Sequence, residues 1–237
     1  MIIYGVNPVL DCINLYSEKI VKLYVSKRSI NKFSKKQLGI IKDISIEYLS
    51  DREFENLSKT NNHQSVAAEI KVNPIMGLSE LKQNINDLGK VVILDHIQDP
   101  QNIGAIARTA VFFGVSTIIL PSNRTASVSP GSVKSSSGSI FSVNFYQVSN
   151  LGNAINELKG KDYWILGAHL DGDDYKDAKY DKFIDEKIAI VMGSEEKGLS
   201  PLISKNCDIL VRIKRKGLTN SLNVNVATAI LLSRFLS

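Results

Sequence analysis

The sequence predicts an α/β protein in which a small α/β domain precedes a larger one built on a parallel sheet. From Lys90 onward, short apolar runs alternate with stretches of helical periodicity, the pattern of a parallel sheet covered on both faces. Ahead of that point, residues 1–72 hold shorter strand-like runs around a helix-like stretch. A chain of 237 residues with 43% hydrophobic content has room for this arrangement and for a substantial core.

In order, "KIVKLYVSK" and "ISIEYL" read as strands, "DREFENLSK" as a helix and "HQSVAAEIK" as a closing strand. Residues 73–89 read as a linker with a short helix. In the larger domain, 90–237, strand-like runs fall at 90–95, 116–120, 163–168, 187–193 and 208–213. Helix-like stretches fall at 102–113, 150–160 and 221–236. The Ser-rich segment 122–139 reads as a loop with a short helix.

Composition narrows the function classes. Cys12 and Cys207 lie far apart, form no CxxC pair and come without a cationic, apolar leader, so a cytoplasmic protein with reduced thiols is expected. No apolar run approaches a bilayer span, because 218–233 contains Asn220, Asn223 and Asn225; no membrane partner is expected. The net charge is +5, and it is unevenly placed. "KRSINKFSKK" holds Lys27, Arg28, Lys32, Lys35 and Lys36 without an acid, and "RIKRK" at 212–216 holds four more cations. Between Asp99 and Glu157 there is no acid at all. Such patches suit a polyanion, because each neutralised phosphate releases condensed counterions.

In an open parallel sheet the ligand lies beyond the carboxyl ends of the strands. Three polar stretches occupy such positions: "DHIQDPQN" after "VVIL", "GSEEKG" after "IAIVM" and "KRKGLTNSLN" after "DILVRI". No G-x-G-x-x-G follows the first strand, which argues against a dinucleotide cofactor. In the helix after Asn102, residues Ile103, Ile106, Ala107, Ala110 and Val111 share one face, and Arg108 lies well round from its centre. The ordinary role of Asn102 is a helix cap, and that of Ser221 likewise. Asn223 and Asn225, at the start of an otherwise apolar helix, require backbone partners or a ligand.

Together these stretches resemble a known family. "DPQNIGAIARTA", "VMGSEEKGLS" and "RIKRKGLTNSLNVNVATAI" are similar, in order and spacing, to the three motifs of the SpoU/TrmH (SPOUT) RNA ribose 2′-O-methyltransferases. "IYGVNPVL" and "HQSVAAEI" extend the likeness to the small L30e-like RNA substrate-binding domain of its RlmB-like branch. The resemblance implies a deep trefoil knot (the α/β-knot) in the C-terminal domain, S-adenosylmethionine as methyl donor, and a homodimer. It implies that backbone groups around Gly193, Ile213 and Leu222 hold the donor. Asn102, Arg108, Glu195, Ser221 and Asn223 would line the pocket where ribose meets methyl, Glu195 rather than Glu196 fitting the G-x-E-x-x-G spacing. Three positions depart from the pattern: Lys214 replaces a proline, Asn225 a serine and Ser65 a glycine.

A ribose 2′-hydroxyl is a weak nucleophile at neutral pH, so transfer needs in-line positioning and help with the proton. Arg108, acting with the adjacent RNA phosphate, is expected to orient that hydroxyl and stabilise developing alkoxide charge. Asn102 and Ser221 would position the ribose, and Asn223 and Glu195 would brace the pocket. The expected substrate is a guanosine of large-subunit rRNA, with no DNA partner and no metal. Transfer-RNA methylation and resistance-conferring rRNA methylation are the alternatives within this chemistry; a non-catalytic ribosome-assembly protein is the alternative outside it.

Overall fold

A computed structural model describes the chain except for residues 62, 72, 74, 127, 185, 219, 220 and 237. It divides into two compact units, Met1–Asn73 with Val128–Phe141, and Pro74–Ser127 with Ser142–Ser237.

The first unit comprises β1 (Ile2–Tyr4), α1 (Val6–Tyr16), β2 (Ile20–Val25), α2 (Lys35–Ile40), β3 (Ser45–Tyr48), α3 (Asp51–Ser58) and β4 (Val66–Ile70). Its sheet runs β1-β4-β2-β3, with β4 antiparallel to both neighbours and β3 parallel to β2. Capping boxes start α2 at Ser34/Gln37 and α3 at Ser50/Glu53. Ser50 donates to the Glu53 carboxylate from both backbone and hydroxyl, and this holds that carboxyl below its ordinary pKa. Strand β1 and helices α1 and α2 add to the elements expected here. Ile3, Val9, Ile13, Leu23 and Phe54 are among its buried side chains.

The second unit begins with α4 (Leu78–Asn84), β5 (Val91–Asp95), α5 (Pro100–Phe112) and β6 (Thr117–Pro121). After α6 (Pro130–Ser135), which folds with the first unit, come β7 (Asn144–Val148), α7 (Leu151–Lys159) and β8 (Trp164–Asp174). The chain ends with β9 (Ile188–Gly193), α8 (Pro201–Asn206), β10 (Ile209–Arg212) and α9 (Val224–Phe235). All six strands are parallel, in the order β10-β8-β9-β5-β6-β7. β5 and β6 are buried along their whole length, as strands covered on both faces must be.

Two segments differ from the sequence reading. The stretch 73–89 is no mere linker: Leu81, Ile85 and Leu88 join Val91, Ile93, Ile155, Leu158 and Ile203 in one core cluster. Each fully buried side chain of this kind contributes roughly 1.5–3 kcal/mol. The Ser-rich segment, expected as a loop of the larger domain, gives Val128–Phe141 to the first unit. There Phe141 packs edge-on against Tyr16 at 5.4 Å, and its carbonyl accepts a bond from Asn73.

The sheet also prepares a ligand site. β6 and β7 lie to one side of β5, and β9, β8 and β10 to the other, so strand order reverses at the β5–β9 border, the place where open parallel sheets bind ligands beyond their carboxyl ends. The last register pair on that border is Asp95 with Gly193. Along β8 the ladder jumps, with Leu210 opposite Gly167 and Val211 opposite Asp173, so residues 168–172 leave the pairing. Gly172 permits this: a Cβ there would lie 2.5 Å from the Leu210 carbonyl carbon. Among the described residues no helix is long and apolar enough to cross a membrane.

Candidate functional site

Helix α5 begins earlier than its apolar periodicity suggests. Asp99 is the N-cap, its carboxylate accepting from the Gln101 N–H at 2.8 Å, and Pro100 takes the first helical position, where a missing N–H does no harm. The expectation that Asn102 caps this helix is therefore corrected. With capping done by Asp99, the Asn102 amide turns outward, donating from Nδ2 to the Glu195 carboxylate and accepting at Oδ1 from Asn223 Nδ2 at 3.0 Å.

Helix α9 shows the converse shift. It starts at Val224, and its cap is Asn223, whose Oδ1 accepts from the Asn225 N–H at 2.9 Å. Ser221, expected as the cap, lies exposed two residues earlier. Asn225 takes a bond from the Thr109 hydroxyl at 2.7 Å, which ties α9 to α5 one residue beyond Arg108. Both asparagines that looked out of place at the start of an apolar helix are thus accounted for. Thr228, buried in the next turn, donates back to the Val224 carbonyl at 2.7 Å.

Glu195 is delivered by a tight turn after β9. Ser194 and Gly198 exchange backbone bonds of 3.1 and 2.8 Å, and Gly198 sits at φ 64°. The turn folds directly over Gly193, where a Cβ would lie 2.0 Å from the Gly198 carbonyl carbon. Asp95 locks the turn from below. This carboxylate, 1% exposed, accepts from the Ser200 N–H at 2.7 Å and meets His96 Nδ1 at 2.5 Å, with His96 held at φ 60°. A buried carboxylate needs such partners. Sequence reasoning did not single out Asp95; the available signal was a carboxylate closing an otherwise wholly apolar strand.

The structure therefore brings Asn102, Glu195 and Asn223 together across three loops, with Gly193 shaping the turn that carries Glu195. Arg108 is exposed on α5, off its buried face of Ile103, Ile106, Ala107 and Ala110. Ile213, half-buried, follows β10, and Leu222, 48% exposed, precedes Asn223. Neither thiol is suited to nucleophilic work, since burial pushes both Cys12 and Cys207 up to about 12. At the carboxyl ends of the central strands the arrangement offers amides and a carboxylate, with the Arg108 guanidinium exposed six residues further along α5. Such groups orient a polar substrate and balance charge.

Known proteins share this architecture. The family model for the SpoU rRNA methylases matches residues 89–233, and that for RNA 2′-O ribose methyltransferase substrate binding matches residues 2–75. The chain is 34% identical over 235 residues to the 23S rRNA (guanosine-2′-O-)-methyltransferase RlmB of Acinetobacter baylyi, covering 97% of this chain and 94% of that one. Its fold matches the AdoMet-bound rRNA methyltransferase of Sinorhizobium meliloti with a TM-score of 0.73 at 25% identity, over 98% of this chain and 85% of that one. It also matches the SpoU methyltransferase AviRb of Streptomyces viridochromogenes with a TM-score of 0.77 at 22% identity, over 100% and 89% of the two chains. With both family models spanning the three-loop site and the small unit before it, this chain belongs to the SpoU family of RNA ribose 2′-O-methyltransferases.

Proposed function

We propose that the protein transfers the methyl group of S-adenosylmethionine to the ribose 2′-hydroxyl of a guanosine in large-subunit (23S) rRNA. The observation that carries this reading is the hydrogen-bonded chain Glu195–Asn102–Asn223, which joins the loops after β9, β5 and β10 at the point where strand order reverses.

The residues present fit the donor. Among the described residues, the backbone groups of Lys214, Lys216 and Gly217 pair with no other backbone group, so they are available to the edges of an adenosine. Lys214 adds an N–H that a proline would lack. Leu222 and Leu218, the latter 99% exposed, offer apolar surface beside them. The carboxylate of Glu195 suits a sulfonium, and Gly193, Ile213 and Leu222 flank the place where the donor would lie. When bound, S-adenosylmethionine supplies an electrophilic methyl group.

Arg108 pairs with the RNA phosphate next to the target ribose, aligning the 2′-oxygen and stabilising the negative charge it develops. Asn102 and Ser221 position the ribose, while Glu195 and Asn223 hold Asn102 from either side. In this reading the C-terminal segment is threaded through a loop as a trefoil knot. The path of the chain supports that: it leaves the sheet at edge strand β10, yet its final helix packs on α5 and β9. In this reading the active form is a homodimer, and the exposed apolar side chains of Phe112 on α5 and Val226 on α9 are surface that a second copy would cover. The partner nucleic acid is RNA, not DNA, and the protein works in the cytoplasm without a membrane partner.

Incubating total RNA with the protein and labelled S-adenosylmethionine, then mapping ribose-methyl stops, tests the reading. One guanosine of 23S rRNA should become labelled. A chain that gives no heat on titration with the donor and labels no RNA would instead be a ribosome-assembly factor.

A further inference from the structure

Three of the first unit's positive-φ residues meet at one end of its sheet. Gly5 lies at φ 98°, and the consecutive residues Gln64 and Ser65 both lie at φ 54°, a left-handed conformation that side chains other than glycine and asparagine rarely adopt. Two such residues in succession are backbone strain that the surrounding structure must hold in place. The surrounding bonds show what holds them there.

Gly5 has no side chain with which to cap α1, and Gln64 does it instead, its Oε1 accepting from the Val6 N–H at 2.8 Å. The Gln64 carbonyl meanwhile accepts from Lys32 Nζ at 3.1 Å and lies 3.5 Å from the Ser29 hydroxyl. Ser65 completes the junction. Its carbonyl accepts from the Ser26 N–H at 3.1 Å, its N–H donates to His63 Nδ1 at 3.0 Å, and its hydroxyl donates to Asp51 at 3.0 Å. His63, 6% exposed, stacks on Phe54 with centroids 5.1 Å apart, so the turn rests on the core. One strained turn thereby pins the start of α1, the loop 26–32 and the start of α3 into a single face.

That face is cationic. Around the turn the exposed cations Lys27, Arg28 and Lys32 outnumber the carboxylate of Asp51, which keeps its charge while accepting from Ser65. The basic run read from the sequence is therefore not uniform: Lys32 braces the turn, and Lys27 and Arg28 are the cations that project from the pinned loop. We propose that this face, centred on Lys27 and Arg28 and held rigid by Gln64, grips two phosphates of the substrate RNA away from the target nucleotide. The proposal rests on the reading of RNA as substrate and assigns the contact within the small unit. A rigid loop is suited to this because phosphate contacts fix register and orientation only if the cations are already placed.

The test is filter binding of the full-length protein to transcribed 23S rRNA over a series of KCl concentrations. Lys27→Ala/Arg28→Ala should lower the slope of log K against log[salt] by about 1.4–1.8, two contacts at roughly 0.7–0.9 each. The charge-conserving Lys27→Arg/Arg28→Lys should restore it, and Lys35→Ala/Lys36→Ala should keep a near-normal slope. Gln64→Ala, which leaves every charge in place, should bind several-fold more weakly with unchanged affinity for S-adenosylmethionine. The face is ruled out if the Lys27/Arg28 variant keeps the normal slope, if the Lys35/Lys36 variant loses as much, or if Gln64→Ala binds normally. A wild-type chain that binds no 23S rRNA removes the substrate reading as well as the face.

Discussion

Substituting Gly193 by alanine tests whether the turn over β9 sets the position of Glu195. An added Cβ would lie 2.0 Å from the Gly198 carbonyl carbon, 2.2 Å from the Leu199 nitrogen and 2.3 Å from the Gly198 oxygen. Ordinary contacts begin at 3.4 Å, so the shortfall is 3.4 − 2.0 = 1.4 Å. All three atoms are backbone, so no side chain can swing aside and the turn itself must move by about that distance. Overpacking of this kind destabilises by roughly 1–3 kcal/mol, which for a chain of this size lowers the melting midpoint by roughly 2–12 °C. A displacement near 1 Å in a positioning group reduces turnover about 10²-fold.

Single-turnover transfer of labelled methyl to 23S rRNA, with thermal melts on the same samples, measures both effects. Gly39→Ala is the matched control, because nothing lies within 4 Å of its Cβ position and Gly39, in the last turn of α2, has no positive φ that alanine would strain. If Gly193→Ala melts and turns over like the parent protein, the steric argument for the turn is wrong.

Other changes should separate the remaining parts. Arg108→Ala should retain donor binding in a calorimetric titration while methyl transfer falls by roughly 10²–10⁴; near-normal turnover would remove Arg108 from the chemistry. Asp95→Ala leaves the part-buried Ser200 N–H without its acceptor, and chemical denaturation should show a loss of roughly 1–3 kcal/mol, with activity falling as the Glu195 turn loosens. With both thiols pushed up to about 12 by burial, only about one part in 10⁴ is thiolate at pH 8, so iodoacetamide should label neither Cys12 nor Cys207 until urea unfolds the chain. Ser65→Val places a β-branched side chain at φ 54° and removes the bond to Asp51, so limited proteolysis should open the first unit more readily, consistent with a loss of about 2 kcal/mol.

How much of this was legible in the sequence depended on whether the determinant was local. The five strand runs and the helices between them were visible because their strands are rich in apolar residues, β5, β6 and β9 being covered on both faces. β7, "NFYQV", was not: this edge strand is short, interrupted by polar Asn144 and Gln147, and its first residue is exposed. Asn102 and Ser221 were read as caps because apolar periodicity marks where a helix begins to bury side chains, not where its first turn forms. Asp99–Pro100 and Asn223 set the true starts. The attachment of residues 128–141 to the first unit had no local signal, since it depends on Tyr16 and Asn73, far away in the chain. Ser65 gave a partial signal, because a position where glycine is usual is one where φ is positive, and here it is.

The chemistry of residue 102 explains why the site needs an amide there. Hydrogen bonds run in one direction through it: the Asn225 N–H donates to Asn223, the Asn223 amide to Asn102, and the Asn102 amide to Glu195. Each intermediate side chain must accept at one end and donate at the other, which a carboxylate cannot do. An aspartate at 102 would face Glu195 as a like charge and leave Asn223 as its only donor in this chain. The series begins at the positive end of α9 and finishes on a carboxylate, so the helix dipole and the polarised amides act in the same sense on Glu195. Because the links span 93 and 121 residues of sequence, the loops come into register only when both helices are capped correctly. Had Asn102 been engaged as a cap for α5, its amide would have been unavailable to join them. The cap at Asp99 is therefore as much a part of the proposed site as the residues assigned to it.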